Sequence, residues 1–96
     1  MRYVHGLDAN HKAIKGRFLS LCPAVFDTSG MGNGFPDLVV KTALGRVYLI
    51  EIKDGAKVKS ARKLKPAQAA MQLAWGATYQ VVETEEQAIA LAVGRH

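Results

Sequence analysis

The sequence predicts an α/β fold with the element order α-β-β-β-α-β-α. Three observations carry that prediction. Two runs rich in Val, Ile, Leu and Tyr, 38–41 and 46–53, stand either side of a short break that contains a glycine; segments with apolar residues at helical spacing flank them; and proline, glycine or capping residues mark most junctions.

From Asp8 the run DANHKAIKGRFLSL offers an N-cap carboxylate and then Ile14, Phe18 and Leu21 at i, i+4 and i+7, an amphipathic helix that stops before Pro23. Ala24-Val25-Phe26 is a short strand. Thr28 to Gly34 contains Ser29, Gly30, Gly32, Asn33 and Gly34 and reads as a flexible loop that runs into Pro36-Asp37. Leu38 to Lys41 and Arg46 to Lys53 pair as an antiparallel hairpin across Thr42-Ala43-Leu44-Gly45. After the polar stretch Asp54 to Lys65, Pro66 opens a helix whose Ala67, Ala70, Met71, Leu73, Ala74 and Trp75 give a broad apolar surface, expected to pack in a core or between copies, before Gly76 ends it. Tyr79 to Val82 is another strand. Thr84-Glu85-Glu86-Gln87 is a capping box that starts a last helix through Ala88, Ile89, Leu91 and Ala92.

A chain of 96 residues, 49% apolar and 22% charged, is expected to form one domain spanning residues 1–96, neither disordered nor fibrous. No apolar run reaches the roughly 20 residues of a spanning helix, and Met1 to Gly6 lacks the apolar segment of a secretory signal, so a cytoplasmic protein is expected. Cys22 is the single cysteine, which rules out an internal disulfide and a multi-cysteine zinc site. Net charge is +5, and Lys57, Lys59, Arg62, Lys63 and Lys65 cluster with no acid among them, a pattern that attracts polyanions.

The charges at the ends of the hairpin raise the functional question. Side chains alternate across a strand, so Val47, Leu49, Glu51 and Lys53 share one face while Tyr48, Ile50 and Ile52 share the other. Antiparallel pairing brings Asp37 beside Glu51 and Lys53. Two carboxylates about 4 Å apart repel by roughly 4 kcal/mol at an effective dielectric near 20, and a cation or a shared proton between them relieves this. Hard oxygen donors select Mg²⁺ or Mn²⁺, and a lysine beside such an ion can stabilise charge on a phosphate. The chemistry indicated is metal-dependent phosphodiester hydrolysis. The plainer alternative is a strand-end ion pair between Glu51 and Lys53, with Asp37 a turn residue.

Pro36-Asp37 followed by Glu51-Ile52-Lys53 resembles the PD-(D/E)xK nuclease superfamily. More closely, GFPDL, then YLIEIKDG, then a basic stretch and Pro66-Ala67-Gln68 resemble the small stand-alone VRR-NUC nucleases of phages and bacteria, relatives of Holliday junction resolvases. The resemblance runs from about Asp8 to Ile89. It implies a restriction-endonuclease-like core, a mixed sheet flanked by helices. It also implies that Asp37, Glu51 and the backbone carbonyl of Ile52 hold Mg²⁺ or Mn²⁺, that Lys53 is the catalytic amine, and that Gln68 belongs to the active site. Ser29 resembles a serine that related resolvases place near the site, and with Lys57, Lys59, Arg62, Lys63 and Lys65 it is expected to contact DNA. Relatives often bring a first-helix glutamate to the metal; here that helix offers Asp8, Asn10 and His11, and Asn10 could approach through a water. Lys65 stands before Pro66, where a capping hydroxyl is expected. Branched DNA is the implied substrate and a homodimer the expected assembly. The alternatives are a DNA-binding accessory protein on a nuclease fold, or a nuclease acting on flaps, mismatched DNA or RNA.

Overall fold

The two apolar runs do form the hairpin that centres the fold. The computed structural model describes residues 9–54 and 63–95, and there the order is α1 (Ala9–Leu21), β1 (Ala24–Asp27), β2 (Leu38–Lys41), β3 (Val47–Ile52), α2 (Pro66–Trp75), β4 (Tyr79–Val82) and α3 (Glu85–Val93), with one 3₁₀ turn at Gly76–Thr78. The strands make a four-stranded sheet in the order β1-β2-β3-β4. β1 with β2 and β2 with β3 run antiparallel, whereas β4 lies parallel to β3, so the sheet is mixed. A parallel neighbour needs a crossover, and the segment that carries α2 supplies it.

The β2–β3 turn is closed by the Thr42 amide donating to the Arg46 carbonyl at 2.8 Å and the Gly45 amide to the Thr42 carbonyl at 2.9 Å. Gly45 sits at φ 87, a backbone region that glycine enters without penalty. Register follows from the turn: Leu38 faces Ile50 and Val40 faces Tyr48. These four side chains point to one side, where they pack with Ile14 and Phe18 of α1 and with Ala88, Leu91 and Ala92 of α3. The first residue of α3 is preceded by Thr84, whose hydroxyl accepts from the Gln87 amide at 3.1 Å. The reciprocal half of the expected box is displaced by one residue, since Gln87 Oε1 accepts from the Glu83 amide. No described helix is long and apolar enough to cross a membrane.

Two expectations need correction, one on α1 and one on α2. Leu21 is 39% exposed and outside the core; α1 buries His11, Ile14 and Phe18, and Cys22 packs against the core where Leu21 was expected. The glycine-rich loop is organised as two turns, with the Met31 amide donating to the Thr28 carbonyl and the Phe35 amide to that of Gly32. Its base is closed by Thr28, whose amide donates to the Asp37 carbonyl and whose hydroxyl donates to that of Pro36. No residue of α2 is buried, so of the two kinds of packing expected for its apolar surface a place in the core is not met.

Phe18→Ala should therefore lower the unfolding free energy by about 3–5 kcal/mol, and Leu21→Ala, one helical turn on, by less than about 1 kcal/mol. Urea unfolding of the two variants checks the contrast, and equal costs would refute this assignment of the α1 face.

Candidate active site

The second face of the sheet carries the charges. The Asp37 amide, one residue before β2, donates to the Ile50 carbonyl at 2.8 Å although Ile50 pairs with Leu38, so Asp37 is held at the end of the β2–β3 ladder. Both carboxylates line one cleft. Asp37 is anchored there by the Ile52 amide, which donates to its Oδ2 at 2.8 Å. Glu51 is 4% exposed. Gln68 of α2 donates its amide to Glu51 Oε2 at 2.9 Å and accepts at Oε1 from Lys53 Nζ at 3.1 Å. Lys53 Nζ lies 3.6 Å from Glu51 Oε2. Gln68 Oε1 also accepts from the Lys65 amide at 2.9 Å, the half of a capping box that the third helical residue supplies. The expected quartet of Asp37, Glu51, Lys53 and Gln68 is thus brought together.

Burial dominates the electrostatics. It pushes Glu51 up to about 7, with the facing Asp37 carboxylate adding to the rise against the attraction of Lys53. Asp37 is raised for the same first reason, in spite of the Ile52 amide and the nearby His11 and Lys53. Tyr79, which faces Leu49 across the β3–β4 pair, has its phenol raised by burial and by the two carboxylates. Two buried oxygens, Glu51 Oε1 and Tyr79 Oη, have no hydrogen-bond partner among the described residues.

A cleft of about 310 Å³ opens onto this cluster, between the Gly32–Phe35 segment on one side and Lys65, Ala67 and Gln68 on the other, with Asp37 and Glu51 at its wall. Ser29 lines it, but its hydroxyl donates to Asp27 Oδ1 at 2.6 Å. Asn10 goes elsewhere: its side-chain amide donates to the Lys53 carbonyl at 2.9 Å and reaches that of Glu83 at 3.5 Å, tying α1 to the ends of β3 and β4. Lys63 is exposed, while Lys57, Lys59, Arg62 and Asp8 lie outside the described residues.

Sequence reasoning missed a second cluster beside the first. Asp27, at the end of β1, accepts from Lys15 Nζ at 2.8 Å and from the Ser29 amide and hydroxyl, and these hold its carboxyl well below the usual carboxylate range. Buried His11 places Nε2 3.9 Å from Asp27 Oδ2. The available signal was the turn from Asp27 to Ser29. His11 and Tyr79 carried none, because only the packing of α1 and β4 brings them near Asp37.

Neither a family model nor a curated protein matches the chain. A solved structure titled "VRR_NUC domain" matches over 90% of this chain and 92% of its own, with a TM-score of 0.63 at 28% sequence identity. Over nearly the whole of both chains, this protein is similar to that VRR-NUC domain. The fold resemblance would imply a divalent cation, and the residues fit one: the donors available at the wall of the cleft are hard carboxylate oxygens, and Glu51 Oε1 is buried with no described hydrogen-bond donor to satisfy it.

Two outcomes are expected of this site. Gly34 sits at φ 79, and an added Cβ would lie 2.6 Å from Ala67 Cβ and 2.9 Å from its carbonyl carbon. Gly34→Ala should then destabilise the protein by about 1–3 kcal/mol in urea unfolding, and an unchanged midpoint would contradict the close approach. Glu51 holds its proton more tightly folded than unfolded. Its contribution to stability is complete below the unfolded value of 4.5 and is lost as the pH rises through about 7. In EDTA, stability should fall by on the order of 3 kcal/mol between pH 5 and 8. Mn²⁺ should restore it at pH 8, and Glu51→Gln should remove most of the slope; a flat profile in the parent protein would refute this.

Proposed function

We propose that this VRR-NUC domain is a Mg²⁺- or Mn²⁺-dependent endodeoxyribonuclease that hydrolyses phosphodiester bonds, prefers branched DNA such as Holliday junctions, and acts as a homodimer. One observation supports the reading above all: Asp37 and Glu51 line one cleft close enough to act on each other's ionisation, with Gln68 joining Glu51 to Lys53. A strand-end ion pair alone does not account for it, because Asp37 makes the burial of Glu51 worse and the structure keeps both.

When bound, the divalent ion supplies polarisation of the scissile phosphate and a lower pKa for the attacking water. Asp37, Glu51 and the carbonyl of Ile52 would hold it. Lys53 offers an ammonium to the charge that grows on the phosphate oxygens in the transition state, held in place by the Gln68 carbonyl. Gln68 also fixes the Glu51 carboxylate in one rotamer. Lys63 and Lys65, with Lys57, Lys59 and Arg62, neutralise flanking phosphates, and the loop carrying Ser29 meets the strand through backbone amides. These contacts position the polymer without reading its bases. The preference for branched DNA rests on the family resemblance. Cutting both strands takes two sites, so a second copy of the chain is the partner the reaction calls for. Such a substrate places the protein in the cytoplasm of a bacterium or a phage-infected cell.

The test is cleavage of four-way junctions, flaps, nicked and linear duplexes, single strands and RNA, in Mg²⁺ and in EDTA. Junction cutting should exceed linear-duplex cutting, stop in EDTA, and fall at least 100-fold in Asp37→Ala, Glu51→Ala and Lys53→Ala, on the order of a lost transition-state contact or more. Calorimetry showing no Mn²⁺ binding by a protein that still binds DNA would make the domain an accessory DNA-binding protein. Preferential cutting of flaps or RNA would move the substrate.

A further inference from the structure

We propose that Tyr79 positions Glu51 for the divalent ion: its phenol hydroxyl donates to Glu51 Oε1 through at most one water. This role rests on the metal-dependent reading above and deepens it by naming a residue of β4 on which the affinity for the ion depends.

The register of the parallel pair puts Tyr79 on the charged face of the sheet. Tyr79 is matched with Leu49 and Val81 with Glu51, and neighbours in register point to the same side. The core cluster takes Ile50 and Val82 from these two strands, the residues that alternate with Leu49, Glu51 and Val81 and point the other way. Tyr79 is outside that cluster and yet only 2% exposed. Its cover is α2, which packs against β4 and reaches the same face through the Gln68–Glu51 bond. Tyr79 is thus the diagonal neighbour of Glu51, a relation that an aromatic side chain can span.

The hydroxyl is what needs explaining. A phenylalanine would fill the same space without taking a polar group out of water. Tyr79 Oη is buried with no hydrogen-bond partner among the described residues, and so is Glu51 Oε1. Each supplies what the other lacks. An ionised carboxylate has about four acceptor sites and no donor. Glu51 Oε2 uses two, on the Gln68 amide at 2.9 Å and the Lys53 ammonium at 3.6 Å. Oε1 then has room for the ion and for one donor. Burial and the carboxylates of Glu51 and Asp37 push the ionisation of the phenol up, so it keeps its proton, and their action on it shows that it lies near both. A neutral donor also suits the place. Another lysine or arginine would repel the incoming ion, whereas a hydroxyl fixes the carboxylate without opposing it.

Calorimetry with Mn²⁺ on Tyr79→Phe tests this, with Tyr48→Phe, in the apolar core on the other face, as the control. Tyr79→Phe should keep the parent's circular dichroism spectrum and an unfolding midpoint in EDTA no lower than the parent's. Its Mn²⁺ dissociation constant should nevertheless rise at least about 10-fold. Tyr48→Phe should leave that constant unchanged. Ultraviolet resonance Raman of the parent should show a tyrosine hydrogen-bond marker that shifts when Mg²⁺ is added, and Tyr79→Phe should lose the shift. Cleavage by Tyr79→Phe should fall at low Mn²⁺ and return at saturating Mn²⁺. A Tyr79→Phe protein that binds Mn²⁺ as the parent does would overturn the proposal and leave the nuclease reading standing. Equal weakening in Tyr48→Phe, the mark of a general loss of packing, would overturn it as well. A parent that binds no Mn²⁺ would overturn both. A parent whose Mn²⁺ affinity depends on Tyr79 but which cleaves nothing would uphold the role of Tyr79 and refute the nuclease reading.

Discussion

A carboxylate held out of water opposite another carboxylate is the constraint around which the site is arranged. Glu51 is the one acid among the buried residues of the described chain, and burial together with Asp37 opposes its ionisation. Such a pair persists only if the surrounding structure over-determines it. Here the determinants are local and identifiable. The β2–β3 pairing sets the register, the Ile50 carbonyl and the Ile52 amide anchor Asp37 at its end, and Gln68 and Lys53 hold one oxygen of Glu51. A slip of one residue in the hairpin would send Glu51 into the apolar side and Ile50 out of it. Packing of Leu38, Val40, Tyr48 and Ile50 against α1 and α3 therefore secures the acids on the other face.

How much of this was legible in the sequence depends on the range of the interactions concerned. The hairpin, the shared face of Glu51 and Lys53, and the approach of Asp37 need only the two-residue period of a strand and a short turn, and each agrees with the structure. Helix boundaries at Pro66, Gly76 and Thr84 rest on capping chemistry that acts within one turn, and they agree to within a residue. What was missed depends on packing between distant segments. His11 and Asp27 meet because α1 lies over β1, and Tyr79 nears the acids because β4 runs parallel to β3. An apolar stripe also carries no label for its partner. The stripe of α1 covers the sheet with Ile14 and Phe18, whereas that of α2, with as many apolar residues, leaves Leu73 in solvent.

Asn10 shows how a plausible ligand becomes a strut. Its helical position does bring it to the site end of the sheet, as expected. What it faces there is backbone carbonyl, and an amide nitrogen that donates to Lys53 and approaches Glu83 fixes the ends of β3 and β4 relative to α1. The residue acts on the same stretch of chain as the candidate catalytic lysine without touching its ammonium group.

The glycine-rich segment and α2 answer to one another in a similar way. Gly34 approaches the first turn of α2 closely enough that any side chain would have to displace Ala67, and this contact sets the width of the cleft above Asp37 and Glu51. Ala67, Gln68 and Lys65 belong to that same turn. Its position is therefore fixed from three directions: by the loop through Gly34, by the sheet through the Glu51–Gln68 bond, and by its own cap through the Lys65 amide. A helix start held this firmly can present a side chain to the site with little freedom, which a catalytic hydrogen bond requires. The outer ridge of α2 contributes nothing to that rigidity.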